Sequence, residues 1–183
     1  MRVDLKSTAT VIVDVQDRLF PHMAEAICED NIVTLIKGIR ALRSPLLATE
    51  QYKKGLGDTL PSIAEALDDV VPVEKIAFSC MDEPAFVEQL KAAVAGNPPK
   101  FVILAGIETH VCVLQTAVDL LAEGYVPVIP ADAVSSRSMA DKSIALDRIR
   151  HEGGIVTTVE SILFELCRVS RTEAFKAVSS LVK

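Results

Sequence analysis

Cys112 is the side chain of this sequence most suited to covalent chemistry. It follows the hydrophobic run 101–105 and a short turn, at the point where a helical pattern begins. A strand that runs into a turn and then a helix directs backbone N–H groups and the positive end of the helix dipole at that turn. Such surroundings favour the thiolate, which is a strong nucleophile. The sequence therefore predicts an ionised, reactive thiol at Cys112, and Cys28, Cys80 and Cys167 lack this context.

An acid and a base follow two other hydrophobic runs. Asp14 ends the run Val11-Ile12-Val13, and Lys75 follows the run 70–73. Taken alone, Asp14 would be interpreted as a helix cap or a turn residue, and Lys75 as a solvated surface charge. Together with Cys112, however, they fall at the carboxyl ends of the first, third and fourth runs. Ligands bind at that edge of an open α/β sheet, so the coincidence favours a catalytic group.

Six short hydrophobic runs alternate with helical patterns along the chain and predict the elements that position these residues. Their hydrophobicity is continuous rather than alternating, which is typical of strands covered on both faces. We predict one domain over residues 1–183, a three-layer α/β/α fold with a doubly wound, six-stranded, mainly parallel, Rossmann-like sheet and a switch point near strands one and four. Pro72 and Pro127 weaken the third and fifth strands, because proline lacks a ladder donor. The runs are 10–14, 46–49, 70–73, 101–105, 126–129 and 155–157.

Helix boundaries are marked by capping patterns. The segments Ser138-Met139-Ala140-Asp141 and Thr157-Thr158-Val159-Glu160 have capping-box patterns, and each predicts a helix start. The pair Gly153-Gly154 predicts the end of the helix before the last strand, and the tail from about Arg171 has the pattern of a final helix. Two stretches repeat apolar residues at helical spacing: Ile32, Leu35, Ile36, Ile39 and Leu42, and Val111, Leu114, Val118 and Leu121.

Composition narrows the classes of partner. Half of the 183 residues are hydrophobic, yet no apolar run approaches the length of a membrane span of ~20 residues. We expect the excess to be buried in the core and in a subunit interface of a homo-oligomer, a dimer or larger. The formal net charge is −6, and no basic stripe occurs, so the sequence predicts no nucleic-acid partner. A small-molecule substrate is the expected ligand.

The cysteines and histidines do not form a pattern typical of a metal site. Four scattered cysteines without a CxxC pair argue against a structural zinc site and against a disulfide framework. The N-terminal residues lack a signal-peptide hydrophobic region, and a cytoplasmic location fits best. The three histidines, His22, His110 and His151, are isolated from one another, so we predict no metal and no cofactor.

Several motifs resemble those of the isochorismatase-like hydrolase superfamily, the cysteine hydrolases. They are residues 13–17, Lys75 and the segment 106–113, which is similar to the Gly-x-x-Thr-x-x-Cys-Val signature of the family. Segments 49–57 and 131–138 resemble most closely the branch of isochorismatase domain-containing proteins. The resemblance extends along nearly the whole chain and implies the same doubly wound fold.

The resemblance also implies roles for individual residues. Asp14, Lys75 and Cys112 would form the catalytic triad of the family. A non-proline cis peptide would join Ile107 to Glu108, and the backbone N–H groups of Glu108 and Cys112 would form an oxyanion hole. The lysine would favour the ionised forms of both the acid and the thiol.

Amide-like chemistry follows from this triad. Asp14 would take the thiol proton and return it to the leaving amine, while Cys112 attacks a carbonyl carbon and forms a thioester that water cleaves. The true isochorismatases of the family share the fold but lack its cysteine, because they cleave a vinyl ether without a thiol. The presence of Cys112 therefore implies that the substrate is a small amide or a related C–N bond. The segment 49–57 lacks the histidines of the metal site in the family's nicotinamidases, which again implies no metal.

Substrate contacts and two alternative functions complete the expectations. One alternative is a non-catalytic member of the fold that acts by binding a partner. The other is a redox-sensing thiol, because an ionised, exposed cysteine is easily oxidised. The candidate substrate-binding residues are Gln16, Phe20, Gln51, Tyr52, Ile107 and His110.

Overall fold

A twisted sheet of seven strands forms the centre of the protein, and the computed structural model describes all residues, 1–183. Every pairing between strands is parallel. The strand order is β3-β2-β1-β4-β5-β7, and β6 pairs with the end of β4, so the chain reverses direction across the sheet between β1 and β4. The strands are β1 (Thr8–Val13), β2 (Leu46–Gln51), β3 (Val73–Lys75), β4 (Phe101–Ile107), β5 (Val126–Pro130), β6 (Val134–Ser135) and β7 (Ile155–Thr157).

Eight α-helices connect the strands and cover both faces of the sheet. None of them is both long and apolar enough to span a bilayer. Ser138 caps its helix as the sequence predicts and accepts from the N–H of Asp141. The capping threonine is Thr158, one residue after the predicted Thr157, and it accepts from the N–H of Ser161. The helices are α1 (Cys28–Ala41), α2 (Lys53–Leu56), α3 (Pro61–Leu67), α4 (Pro84–Ala92), α5 (Leu114–Ala122), α6 (Met139–Glu152), α7 (Val159–Cys167) and α8 (Glu173–Leu181).

Two hydrophobic cores lie on opposite faces of the sheet. Helices α1, α3, α7 and α8 pack on one face, where Ile12 of β1 is buried. Helices α4, α5 and α6 pack on the other face, where Val11 and Val13 of β1 and Cys112 are buried. All residues of β1 and β4 are buried, which explains the continuous hydrophobicity of their sequences.

The structure confirms the α/β class, the parallel sheet and the switch point, and corrects two details. The sheet has seven strands rather than six, because the two-residue strand β6 is too short to give a sequence pattern. Strand β3 begins at Val73 after Pro72, so Lys75 ends this strand instead of following it. Pro127 lies inside β5, although proline has no backbone N–H to donate to a neighbouring strand. The pairing with β7 starts one residue later, at Val128, so no bond from Pro127 is needed there.

The start of the helix after β4 also differs from the prediction. Residues Thr109–Val113 form a π turn before α5, in which the N–H of Val113 donates to the carbonyl of Glu108 at 3.2 Å. The predicted apolar stripe of this helix is only half-buried, and the buried positions are instead Thr116, Ala117 and Leu120. A π turn has more residues per turn than an α-helix, so it rotates the helix that follows. Side chains spaced regularly from residue 111 therefore no longer all face the core.

Strands β1 and β4 approach each other very closely at the edge of the sheet that carries the predicted site. Val13 and Gly106 are partners in the register of the two strands. Gly106 has a φ of 126°, and any Cβ at this position would overlap the backbone O, N and C atoms of Val13. Only glycine therefore allows the turn after β4 to begin beside Asp14, the residue that follows Val13.

Candidate active site

The Asp14 carboxylate is completely buried and held by the neighbouring strand β2. The residue has a φ of 53°, in the left-handed region that aspartate tolerates better than most residues. Its N–H donates to the carbonyl of Thr49 at 3.1 Å, and its Oδ1 accepts from the Thr49 hydroxyl at 2.7 Å. The strand end therefore fixes the carboxylate in one orientation.

The Lys75 ammonium, also completely buried, lies against the other carboxylate oxygen. Nζ of Lys75 is 2.7 Å from Oδ2 of Asp14, and it also donates to Oε1 of Gln51 at 2.8 Å. Two backbone carbonyls complete its surroundings, those of Ala77 at 3.2 Å and Phe78 at 3.0 Å. Burial is the largest single effect and lowers the pKa of Lys75, but the electrostatic effects of Asp14, Cys80 and Cys112 and the hydrogen bond to Asp14 together outweigh it. This pKa is therefore raised, and the ammonium stays charged.

Cys112 lies in the π turn on the same edge of the sheet, with 5% of its surface exposed. Its surroundings do not ionise it. Burial and then the charge of Asp14 raise the pKa of the Cys112 thiol, and the opposing effect of Lys75 is smaller. The sequence-based prediction of a thiol that is ionised at rest is therefore wrong, because the helix start is buried and a carboxylate lies beside it. Cys112 rests as a neutral thiol.

The turn between β4 and Cys112 is fixed on its outer side. The Ile107–Glu108 peptide bond is cis. The Thr109 hydroxyl donates to the carbonyl of Ser135 at 2.9 Å, which ties the turn to β6. The Glu108 carboxylate is nearly buried and accepts from the backbone N–H and from Nε of Arg137, both at 3.1 Å. The backbone N–H of Glu108 donates to no group of the protein.

Two of the six candidate substrate-binding residues lie at the rim of this edge. Tyr52 is 49% exposed, and its ring lies over Gly55. His110 is partly exposed, and its Nδ1 is 3.0 Å from the hydroxyl oxygen of Ser136. Both side chains are thus available to a molecule that enters from solvent.

The other four candidates are enclosed by the protein itself. Phe20 and Ile107 belong to the hydrophobic core on the α1 face. Gln16 is fully buried, and its Nε2 donates to the carbonyls of Gln51 and Gly57 at 3.1 and 2.7 Å. The Gln51 side chain accepts a hydrogen bond from Lys75 with Oε1 and donates one to the carbonyl of Ile76 with Nε2. In this arrangement the four residues support the site and do not face solvent.

Sequence reasoning missed several residues that surround Asp14, Lys75 and Cys112. Thr49 binds Asp14, and Arg137 binds Glu108. Ile76 and Phe78 are exposed next to Lys75, on the turn whose carbonyls the ammonium holds. Thr49 lies near the end of the predicted second strand, and this position is the one signal that could have identified it. The contact itself could not be predicted, because one sequence does not show the register between strands.

The wide grooves of the surface are not lined by Asp14, Lys75 or Cys112. A groove of about 620 Å³ runs along α4 and is lined on its apolar side by Met81, Pro84 and Val87. Another of about 510 Å³ lies between α1 and α3, around Val33 and Ser62. No group of three or more His, Cys, Asp or Glu side chains that could hold a metal ion occurs in the chain.

Most of this chain matches a known protein family. Residues 8–161 match the family model described as the isochorismatase domain. This chain belongs to the isochorismatase family. Isochorismatase domain-containing protein 2 of Danio rerio is 37% identical over 183 residues, which cover 99% of this chain and 89% of that protein. The relatives named isochorismatase domain-containing protein 1, from Danio rerio and Salmo salar, are longer, and the chain spans 51% of their length.

Solved structures give the same fold. The MAR1 ribonuclease of Caenorhabditis elegans superimposes with a TM-score of 0.91 at 35% identity, covering 100% of this chain and 92% of that chain. The YcaC gene product of Escherichia coli, described as an octameric hydrolase of unknown specificity, has a TM-score of 0.90 at 24% identity and covers 99% and 89% of the two chains. The isochorismatase family fold thus holds over the whole length of this chain.

Proposed function

We propose that this member of the isochorismatase family is a metal-independent cysteine hydrolase that cleaves a small amide or a related C–N bond. One observation carries the proposal. A buried ion pair between Asp14 and Lys75 lies beside the buried thiol of Cys112, at the ligand-binding edge of the sheet. A buried charged pair next to a nucleophilic group is costly to maintain for structure alone, and such arrangements cluster at catalytic sites.

The neutral resting thiol assigns the role of general base to Asp14. The carboxylate accepts the thiol proton as the sulfur of Cys112 attacks the carbonyl carbon, and the electron pair of the C=O bond moves to its oxygen. The tetrahedral intermediate collapses, the C–N bond breaks, and the proton of Asp14 goes to the leaving amine. Water then attacks the thioester, with Asp14 again accepting a proton, and releases the carboxylic acid and the free thiol.

Lys75 has an electrostatic role in this sequence of steps. Its ammonium has three N–H groups and four acceptors around it, so no donor remains for the substrate. It keeps Oδ2 of Asp14 in place while Oδ1 and the thiol exchange the proton. The unpaired backbone N–H of Glu108, together with that of Cys112, is the proposed donor pair for the developing oxyanion.

RNA is the alternative substrate suggested by the name of the Caenorhabditis elegans protein. The net charge of −6 disfavours a polyanion, because phosphate binding depends on neutralising lysine and arginine side chains. Two further properties remain proposals for this chain. A homo-oligomer is supported by the octameric Escherichia coli relative and by the exposed Ile76 and Phe78, and a cytoplasmic location by four cysteines that form no disulfide.

The test is a panel of small amides, with a short single-stranded RNA in parallel, assayed with the wild type, Cys112→Ala and Cys167→Ala. Amide turnover should be lost in Cys112→Ala and retained in Cys167→Ala, whose thiol lies far along the chain in α7. Mass spectrometry of the wild type with a slow substrate should show an acyl group on the Cys112 peptide. Turnover retained by Cys112→Ala, or cleavage of RNA alone, would contradict the proposal.

A further inference from the structure

The Gln51 side chain is oriented without ambiguity by its neighbours. Its amide lies between the ammonium of Lys75, which can only donate, and the carbonyl of Ile76, which can only accept. Oε1 must therefore face Lys75, at 2.8 Å, and Nε2 must face Ile76, at 2.6 Å. The amide joins the ammonium to the turn that follows it.

Gln16 locks the backbone of Gln51 in turn. The N–H of Gln51 donates to Oε1 of Gln16 at 2.8 Å, and the carbonyl of Gln51 accepts from Nε2 of Gln16 at 3.1 Å. Since Gln16 follows Asp14 by two residues, the two glutamines connect the acid and the base of the site by a closed set of hydrogen bonds. Every member of this set is buried.

The neutrality of Gln51 has an electrostatic consequence. Asp14, Cys80 and Cys112 are the titratable groups that act on the ammonium of Lys75. The two nearby carboxylates, Glu50 and its register partner Glu74, have other partners. Glu50 binds the ammonium of Lys53, and Glu74 accepts from the backbone N–H of Lys53. An uncharged acceptor at position 51 therefore holds Lys75 without offering it a second carboxylate, so that its charge is directed at Asp14 and Cys112.

We propose that Gln51 is a positioning residue of the site, which acts through Lys75 and does not contact the substrate. This inference rests on the proposed Asp14–Lys75–Cys112 triad and deepens it. It replaces the sequence-based expectation that Gln51 binds the substrate. If Gln51 acts through Lys75, a negative charge at position 51 should change the reactivity of the Cys112 thiol, which Gln51 does not contact.

The experiment measures the rate at which iodoacetamide alkylates Cys112 between pH 7 and 10, by peptide mass spectrometry. Gln51→Glu adds a negative charge beside Lys75 and should slow alkylation of Cys112 at each pH by about tenfold, the effect of one pKa unit on a thiol. Gln51→Met removes the same hydrogen bonds without adding charge, so it should slow alkylation of Cys112 less, by about threefold, through a less firmly held ammonium. The alkylation rate of Cys167, measured in the same digests, is the internal control, because Cys167 lies in α7 and should react equally fast in all variants.

Two results would overturn the inference: equal slowing in Gln51→Glu and Gln51→Met, which a purely structural role gives, or no slowing in Gln51→Glu. Should Gln51→Glu fail to fold, the isotopically labelled wild type supplies the answer. Nuclear magnetic resonance should then detect a through-hydrogen-bond coupling between Nζ of Lys75 and Cδ of Gln51, and its absence would contradict the proposed bond. Alkylation needs no turnover, so a failure here is distinct from a failure of the hydrolase proposal.

Discussion

Nζ of Lys75 and Oδ2 of Asp14 form an ion pair of 2.7 Å in which neither side chain is exposed to solvent. The pair joins the ends of β1 and β3, two strands that do not touch each other in the sheet. Strand β2 lies between them and supplies Thr49 to one carboxylate oxygen and Gln51 to the ammonium. The charges are thus fixed by three strands at once.

Removing one partner of this pair should be far more destabilising than removing both. Lys75→Met leaves a buried carboxylate without its counter-ion, and we expect a loss of about 3–5 kcal/mol in the free energy of unfolding, measured with urea at pH 7. The double variant Asp14→Asn, Lys75→Met buries no charge and should recover most of that loss. Lys176→Met is the matched control, because Lys176 and Glu173 have the same separation of 2.7 Å but lie exposed on α8. That variant should lose less than about 1 kcal/mol, and an equal loss in the two single variants would contradict the argument.

Alkaline pH should weaken the fold through its buried thiols. Burial raises the pKa of Cys28 to about 12 and that of Cys80 to about 11, and it also raises that of Cys112, from an ordinary value of 9.0. Because these folded-state values lie above those of the unfolded chain, the stabilisation is complete below pH 9 and is lost as the pH rises further. We expect about 1.4 kcal/mol to be lost per thiol between pH 8 and pH 10.

Urea unfolding at several pH values measures this loss. Cys28→Ala removes one of the three thiols and should reduce the loss between pH 8 and pH 10 by about a third. The absolute stability of this variant at pH 7 is a separate matter, because the substitution also changes core packing. If the pH dependence of Cys28→Ala equals that of the wild type, Cys28 does not hold its proton in the folded state.

Two buried threonines in neighbouring strands offer a matched pair for the hydrogen bond to Asp14. The Thr49 hydroxyl donates to Asp14 at 2.7 Å, whereas the hydroxyl of Thr10 is buried without any partner. Thr49→Val should cost about 1.5–3 kcal/mol, as for a hydrogen bond to a charged group, and Thr49→Ser should restore most of it. Thr10→Val keeps the shape and removes an unsatisfied group, so it should be neutral or stabilising. Chemical denaturation of the three variants tests this, and equal losses in both valine variants would refute it.

The sequence predicts which residues come together at the candidate site, but not the protonation state of its thiol. Asp14, Lys75 and Cys112 each end or follow a hydrophobic run, and runs of that kind become parallel strands whose carboxyl ends share one edge. Whether Cys112 is ionised depends on how deeply it is buried and how near Asp14 lies, and both are set by tertiary packing. A helix does start near Cys112, but burial and the charge of Asp14 affect the thiol more than the helix dipole does.

The polar residues near the site show the same limit. Gln16, Gln51 and Tyr52 all follow strand ends, and one sequence gives no means to tell which of them faces solvent. In the structure Tyr52 is half-exposed, while both glutamines are buried and bonded to each other. Reciprocal bonding of this kind depends on the register between the loop after β1 and the end of β2, which is a property of the folded chain.

The close approach of β1 and β4 should make Gly106 intolerant of any side chain. Gly106→Ala places a Cβ on the backbone of Val13, and neither strand can move without displacing Asp14 or the turn that carries Cys112. Gly124→Ala is the matched control, since Gly124 also has a positive φ, 84°, but has nothing within 4 Å of the new Cβ. A left-handed alanine costs about 1–2 kcal/mol by itself, so both variants should lose that amount and Gly106→Ala should lose at least about 2 kcal/mol more. Urea unfolding measures the difference, and comparable losses in the two variants would mean that the strands separate easily at this edge.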